Sequence, residues 1–267
     1  MEGANTKMDC IDKVAEAVKH MEEDLRRKFL ENGQEIKLWE NTYVKHQIDK
    51  RESGYVFSLS DHICGMVYSM LSSESPWQRL ENSIDIDTGR IVAVDELFHQ
   101  YDAEYLLQCK PDYLIEEIKK FGYAGRFTEK YMKALIETNI KKLKEFEKQY
   151  GNIDVYYQQL IEKDATLKSL VKALSDFQSK DKMEQMAEAL VSEYLRNVGY
   201  DLAKPDRHLS KILGSTGLGC SDKAEVPPYE VIDIVAEIAD SMGRRPSEVD
   251  YILWASQAKG YGEKCIK

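Results

Sequence analysis

Long apolar runs are absent from this sequence. No apolar stretch approaches the roughly 20 residues that a membrane-spanning helix needs, and the opening residues, MEGANTKMDC, lack the apolar core of a secretory signal. From these two absences we expect a cytoplasmic protein that has no membrane partner.

Closely spaced cysteines are also absent. The five cysteines are an odd number and contain no C-x-x-C pair, so the sequence predicts neither a disulfide framework nor a zinc site. We therefore expect free thiols, no metal and no cofactor. The five are Cys10, Cys64, Cys109, Cys220 and Cys265.

Positive charge is scarce relative to negative charge. The 267 residues contain 37 Lys and Arg against 47 Asp and Glu, a formal net charge of -10. Phosphate contacts need cationic side chains, so this balance argues against a general nucleic-acid binder but leaves room for a local basic face. The length and the 43% hydrophobic content suffice for one large or two modest domains.

The stretch from Leu195 to Gly214, LRNVGYDLAKPDRHLSKILG, places one carboxylate at the start of a helix. Gly199 is the residue type that ends a helix in the left-handed conformation, and Pro205 favours an extended residue before it. Asp206 stands where a new helix, residues 207–213, should begin, so we predict that it is the N-cap. The helix dipole favours an ionised carboxylate there, which suits stabilising a cation better than donating a proton.

This stretch resembles the helix-hairpin-helix DNA glycosylases. LRNVGY at 195–200 is similar to the 8-oxoguanine glycosylase branch in particular. The aspartate is catalytic in that family, so the resemblance implies that Asp206 is the catalytic residue. An ordinary helix cap is the alternative interpretation of this aspartate. The residues that fit the family's D-x-H-V-x-R pattern are Asp206, His208, Leu209 and Lys211.

Residues 70–77, MLSSESPW, resemble the family's LSQQTSW segment. The polar loop of that segment approaches the gap that an extruded base leaves in DNA, which implies a DNA contact for Ser73. At the end of this segment, Ser75 and Pro76 form a capping-box pattern with Gln78, which predicts the start of a helix.

Residues 177–190 occupy the place of the family's hairpin, whose glycines normally expose backbone N–H groups to a DNA phosphate. This chain has no glycine between Gly151 and Gly199. Asp181 with Glu184 is a capping-box pattern that predicts a helix start. We expect four basic side chains to contact DNA, two of which, Lys180 and Lys182, would supply charge in place of the missing N–H groups. The four are Lys180, Lys182, Arg207 and Lys211.

The sequence predicts an all-α fold of two helical subdomains flanking a cleft. Residues 1–72 and 203–267 would form the terminal subdomain, and residues 73–202 the central bundle with a degenerate helix-hairpin-helix. Residues 34–59 mix aromatic and β-branched residues without a helical period, which suggests a short strand or an extended arm.

Local signals predict further helix boundaries. Asp9 is expected to cap a helix that ends near Leu30 and buries one apolar stripe. Ser60 is expected to open an apolar helix, and Ser247 with Asp250 to cap the last one. The predicted stripe is Val14, Ala17, Val18, Met21 and Leu25.

The family resemblance implies hydrolysis of the N-glycosidic bond of a damaged, purine-type base in base-excision repair. The partner would be double-stranded DNA carrying that base, bound by a monomer that is nucleoid-associated in a prokaryote. A flipped base needs a pocket with stacking walls, for which the candidates are Tyr68, Trp77 and Tyr261.

The position of the lysine that gives some relatives lyase activity falls near Ala189, so we expect a monofunctional enzyme that activates water through Asp206. No iron–sulfur cluster is expected, because a cluster takes four closely placed cysteines. The alternative is an inactive protein of glycosylase fold that binds DNA or a protein partner, which the net charge of -10 and the glycine-free hairpin favour.

Overall fold

The computed structural model describes residues 2–31, 39–73, 79, 83–85, 88–161 and 167–258, and every regular element in this part of the chain is helical. The all-α fold predicted from the sequence is therefore confirmed. The helices are α1 (Glu2–Glu31), α2 (Tyr43–Glu52), α3 (Leu59–Ser72), α4 (Val92–Leu97), α5 (Ala103–Gln108), α6 (Pro111–Phe121), α7 (Thr128–Ala134), α8 (Ile140–Tyr150), α9 (Ile153–Ile161), α10 (Leu167–Ser175), α11 (Glu188–Asn197), α12 (Arg207–Ile212), α13 (Pro228–Met242) and α14 (Pro246–Ala258).

Three shorter turns connect some of these helices. Residues Trp39–Asn41 and His99–Tyr101 are 3-10 turns, and Leu135–Asn139 is a π-helical turn between α7 and α8. None of the helices in the described ranges is long and apolar enough to cross a membrane.

The chain divides into two compact units, a terminal unit of Met1–Thr42 with Asp201–Lys267 and a central unit of Tyr43–Tyr200. The sequence had assigned residues 43–72 to the terminal subdomain, and the structure places them in the central unit instead.

The packing of α3 on α11 explains this placement. The Ser69 hydroxyl donates to the Leu190 carbonyl (2.7 Å), and the Asn197 side-chain amide donates to the Gly65 carbonyl (3.0 Å). A Cβ at Gly65 would lie 2.9 Å from a Val198 methyl group, so glycine lets the two helices approach closely. These contacts link residues more than 100 positions apart, which local sequence patterns do not reveal.

The terminal unit is built around α1, which packs against α13 and α14. Val14, Val18, Met21 and Leu25 are buried as predicted, while Ala17 is only partly buried. The helix begins at Glu2, so the predicted start at Asp9 is wrong. A capping residue type signals a possible helix start but does not interrupt a helix that continues past it.

Residues Tyr43–Glu52 form helix α2, so the strand or extended arm suggested for residues 34–59 is wrong over this range. Val44, Gln47 and Ile48 are buried at helical spacing, three and four residues apart. Residues 34–38 lie outside the described part of the chain. The stripe is short, and one of its members is polar, which hid the helical period in the sequence.

Helix α3 spans Leu59–Ser72 and so begins earlier than predicted. Ser58 is its N-cap and forms a capping box with Asp61, so the expected start at Ser60 is wrong by two residues. The helix ends at Ser72. The capping-box pattern at Ser75 falls outside the described residues.

Candidate active site

The Leu195–Tyr200 segment ends α11 with Gly199 in the left-handed conformation (φ +83°), as predicted. The Tyr200 N–H donates to the Leu195 carbonyl (3.0 Å), which closes the last helical turn. A Cβ at Gly199 would lie 2.5 Å from the Gln47 carbonyl oxygen. The end of α11 therefore approaches the backbone of α2 too closely for any side chain.

Replacing Gly199 with alanine should lower the free energy of unfolding by about 2 kcal/mol or more, because left-handed strain and a clash with Gln47 add together. Urea denaturation measures the loss. Gly151→Ala is the matched control, since Gly151 has φ +78° with nothing within 4 Å of its added Cβ. That control should lose only the strain of roughly 1 kcal/mol. Equal losses in the two variants would contradict the clash.

Arg51 of α2 holds the carbonyl end of α11. Its Nε and Nη2 donate to the Val198 carbonyl (2.9 and 2.6 Å), and Nη2 also donates to the Asp154 carboxylate (2.9 Å). The guanidinium lies 4.7 Å from the ring centre of Phe57 and 4.0 Å from that of Tyr200. Its planar group thus combines hydrogen bonding with stacking, which lysine does not reproduce.

A buried polar group lies beside this contact. Asp154 accepts a hydrogen bond from the Tyr200 hydroxyl (2.8 Å). The fully buried His62 has its Nδ1 2.7 Å from the Tyr194 hydroxyl and its Nε2 3.6 Å from the Asp154 carboxylate. Burial favours the neutral carboxyl, but His62 and Arg51 outweigh this effect and hold the pKa of Asp154 at about 2. Asp154 is therefore ionised at neutral pH and balances the charge of Arg51.

The segment from Asp201 to Pro205 has no regular structure, and side chains of α14 bind its backbone. The Ser247 hydroxyl accepts from the Leu202 N–H (3.2 Å) and donates to the Leu202 carbonyl (3.0 Å). Asp250 accepts from the Lys204 N–H (2.7 Å). The two side chains therefore fix the backbone that leads to Asp206.

The expected capping of the last helix by Ser247 and Asp250 is wrong, because α14 begins at Pro246 and Ser247 lies inside it. Both side chains are nearly fully buried and are used on the Leu202 and Lys204 backbone. The S-x-x-D spacing was the available signal, since it marks side chains able to bind free backbone groups. It does not specify which backbone they bind.

Asp206 is the N-cap of α12, as predicted. Its Oδ1 accepts hydrogen bonds from the N–H groups of His208 (2.8 Å) and Leu209 (3.1 Å). Its Oδ2 accepts none from the described residues, and the side chain is only partly buried. One oxygen therefore orients the carboxylate while the other is available to a water molecule or a ligand.

Helix α12 is short, and the loop that follows it contributes to its position. Leu209 and Ile212 are buried in the core of the terminal unit. The Ser210 hydroxyl donates to the Val226 carbonyl (2.8 Å), and the Val226 N–H donates back to the Ser210 carbonyl (3.0 Å). Asp206 is thus attached to a helix that is fixed on two sides.

The α10–α11 loop, residues 176–187, lies where the family's hairpin was expected. The predicted helix start at Asp181 and Glu184 is wrong, since α11 begins at Glu188. Asp181 is buried and accepts a hydrogen bond from the Tyr156 hydroxyl (2.7 Å). Its carboxylate is therefore used by α9 and not by the N–H groups of α11.

One side chain of the π-helical turn and one of α8 hold this loop. The Asn139 amide donates to the Glu184 carbonyl (3.1 Å) and accepts from the Glu184 N–H (2.7 Å). The Lys142 ammonium donates to the carbonyls of Lys182 (2.7 Å) and Lys180 (3.1 Å), and burial lowers the pKa of this amine. The sequence analysis missed both residues, because only the fold brings positions some 40 apart together.

The two lysines predicted to contact DNA in this loop differ in environment. Lys180 is exposed. The Lys182 ammonium instead points back to the loop and donates to the carbonyls of Met183 (3.2 Å) and Met186 (3.4 Å). Position 189, where the family lysine was expected, holds an alanine in the first turn of α11.

The other predicted DNA contacts lie on both units. Arg207 is exposed at the start of α12, and the Lys211 ammonium lies 3.7 Å from the Glu225 carboxylate. The Ser73 hydroxyl lies 3.0 Å from the Tyr131 hydroxyl. Their roles in DNA binding, like the cleft between the two subdomains, stay predictions.

Of the three aromatic residues predicted for a base pocket, the structure describes only Tyr68. Its ring is 8% exposed, and its hydroxyl donates to Asp95 (2.8 Å) and accepts from the Ile91 N–H (2.8 Å). The Tyr101 hydroxyl and the Arg90 guanidinium also donate to Asp95 (2.5 and 2.7 Å). This buried cluster gives Tyr68 a structural role, and its place in a base pocket stays a prediction. Trp77 and Tyr261 lie outside the described residues.

Comparison with known proteins gives one distant relative. The 8-oxoguanine DNA glycosylase/AP lyase of Aquifex aeolicus is 29% identical over 166 residues, which cover 60% of this chain and 66% of that protein. The match thus spans just under two thirds of the relative's length. No family model and no solved structure matches the chain. The similarity suggests a DNA glycosylase family.

Proposed function

We propose that the protein is a DNA glycosylase that hydrolyses the N-glycosidic bond of a damaged purine-type base in double-stranded DNA. The geometry of Asp206 carries the proposal: one carboxylate oxygen is fixed by two N–H groups, and the other accepts no hydrogen bond from the described residues. The distant similarity to a glycosylase supports the same reaction class.

Cleavage of an N-glycosidic bond builds positive charge on the sugar. A carboxylate that is already oriented stabilises this charge without rearranging in the transition state. Its free oxygen also accepts a hydrogen bond from the attacking water and takes the proton as the new C–O bond forms. The departing base takes the electrons of the broken C–N bond. Both roles need the ionised form of Asp206.

We further propose that the enzyme is monofunctional and leaves an intact abasic site. Strand cleavage by a glycosylase uses an amine that forms a Schiff base with the sugar. Ala189 offers no amine, and Lys182 is bound to carbonyls of its own loop. The Aquifex relative is named as an AP lyase as well as a glycosylase. We therefore expect the two proteins to differ in strand cleavage.

Incubation with duplexes that carry 8-oxoguanine, alkylated purines, hypoxanthine, uracil or a mismatch tests both proposals. We expect release of one base, with strand breaks only after alkaline treatment, and no adduct on borohydride reduction. A covalent protein–DNA adduct that disappears when one lysine is replaced would contradict the water mechanism. Lesion binding without release of any base would instead favour an inactive protein that binds DNA.

A further inference from the structure

Phe177 is the most exposed of the large hydrophobic side chains that the structure describes. The residue is 89% exposed and lies two positions after the end of α10, in the α10–α11 loop. A phenyl ring in water is unfavourable relative to a buried one. A single exposed apolar residue needs no explanation by itself, but hydrogen bonds fix the turn that carries Phe177.

Hydrogen bonds define the turn that carries this ring. The Ser179 N–H donates to the Asp176 carbonyl, and the Gln178 N–H donates to the Asp176 carboxylate (both 2.9 Å). Further along the loop, Met183 and Met186 are fully buried. The loop is therefore ordered before any partner binds. This order lowers the entropic cost of binding a partner through Phe177.

The contacts of Asn139 and Lys142 hold the same loop from α8 and the π-helical turn. They bind the loop backbone at Lys180, Lys182 and Glu184, which follow Phe177 in the sequence. None of these contacts involves the Phe177 ring. The loop is thus fixed at its turn and along its return to α11, while Phe177 is exposed to solvent.

The elements that support Phe177 are basic, although the whole chain is acidic. Helix α10 contains Lys168 and Lys172 with no acidic residue, and α8 contains four lysines against two glutamates. The loop itself contains two lysines against three acidic residues, so the three elements together have a net charge of +3. Lys180 follows Phe177 in the loop and is exposed. With a net charge of -10 for the whole chain, this local excess favours a polyanionic partner that also offers flat apolar faces. DNA has both properties.

We propose that Phe177 packs against a base of duplex DNA, entering the stack at a base step while Lys180 contacts the phosphates beside it. Apolar wedges, phenylalanine among them, are a known means of opening a base step. The inference rests on the proposed function only in taking DNA as the ligand. It adds a base contact at a loop for which the sequence analysis had expected phosphate contacts alone.

Fluorescence anisotropy with the full chain and a labelled duplex of about 20 base pairs, the length of a typical bound site, tests the inference. Phe177→Ala should weaken binding at least about fivefold, the lower end of what one base–aromatic stack contributes. The melting temperature should not change, because the ring contributes little to the core. Phe177→Trp should keep the wild-type affinity for the duplex. Phe121→Ala removes another exposed ring (43% exposed) and should leave the affinity unchanged.

Salt dependence separates stacking from charge. Phe177→Ala should leave the slope of log Kd against log salt unchanged, whereas Lys180→Ala should reduce it by about one. If Phe177→Ala binds like the wild type while base release persists, this inference is wrong and the proposed function stands. If the wild type binds no duplex and releases no base, the proposed function itself fails.

Discussion

Replacing Asp206 with asparagine should slow base release at least about 100-fold while leaving affinity for lesion-containing DNA unchanged or higher. The substitution removes the negative charge that stabilises the developing positive charge on the sugar. The asparagine oxygen still accepts from the N–H groups of His208 and Leu209, so the free energy of unfolding should change by about 1 kcal/mol or less. Single-turnover release kinetics and urea denaturation measure the two effects.

Asp102→Asn is the matched control, because Asp102 is the N-cap of α5 and accepts from the Tyr105 N–H (2.7 Å). It should change stability by a similar amount and leave base release intact. Wild-type release by Asp206→Asn would remove the catalytic assignment. Equal loss of release in both variants would indicate an effect on folding and not on the reaction.

Replacing Arg51 with alanine should lower the free energy of unfolding by about 3 kcal/mol, since it leaves a buried carboxylate without its partner. The side chains of Arg51 and Asp154 are only 24% and 17% exposed. The Val198 carbonyl also loses both of its donors from Arg51, and the stacking on Phe57 and Tyr200 disappears. Thermal and urea denaturation measure the loss.

Two controls separate charge from geometry in this prediction. Lys50→Ala removes a neighbouring exposed cation of α2 and should cost less than about 0.5 kcal/mol, while Arg51→Lys should fall between the two. The Asp154 carboxyl has its pKa at about 2 in the folded protein against 3.8 for an isolated group. The contacts of Asp154 with His62 and Arg51 therefore stabilise the protein above pH 4, and this stabilisation is lost as the pH falls through 2. The part of the Arg51→Ala deficit that comes from the ion pair should shrink on acidification. A deficit independent of pH would exclude the ion pair as its cause.

The elements that the sequence predicted well depend on local physics. Apolar spacing predicted the buried stripe of α1. Gly199 predicted the end of α11, and Pro205 with Asp206 predicted the cap of α12. A left-handed glycine or an N-cap needs only its neighbours in sequence. For this reason, the position of Asp206 in its helix could be predicted from the chain alone.

The capping-box patterns failed where a distant group bound the side chain instead. Asp181 is used by Tyr156, and Ser247 by Leu202. A short polar side chain binds whichever free donor the fold places near it, and sequence spacing reports only the local candidates. The hydrogen bonds of Asn139 and Lys142 to the α10–α11 loop were missed for the same reason. No local pattern connects residues that lie far apart in the sequence.

The π-helical turn at Leu135–Asn139 has a consequence for comparing this chain with others. In a π turn each hydrogen bond spans one residue more than in an α turn. Helices α7 and α8 therefore continue each other, but the side chains after the turn are rotated about the helix axis relative to those before it. Any homologue with an uninterrupted α-helix here must be aligned with a one-residue gap. Without that gap, each residue of α8 would be aligned with the residue next to its true counterpart. Asn139 and Lys142, which bind the α10–α11 loop, would then be matched to side chains on another face of the helix.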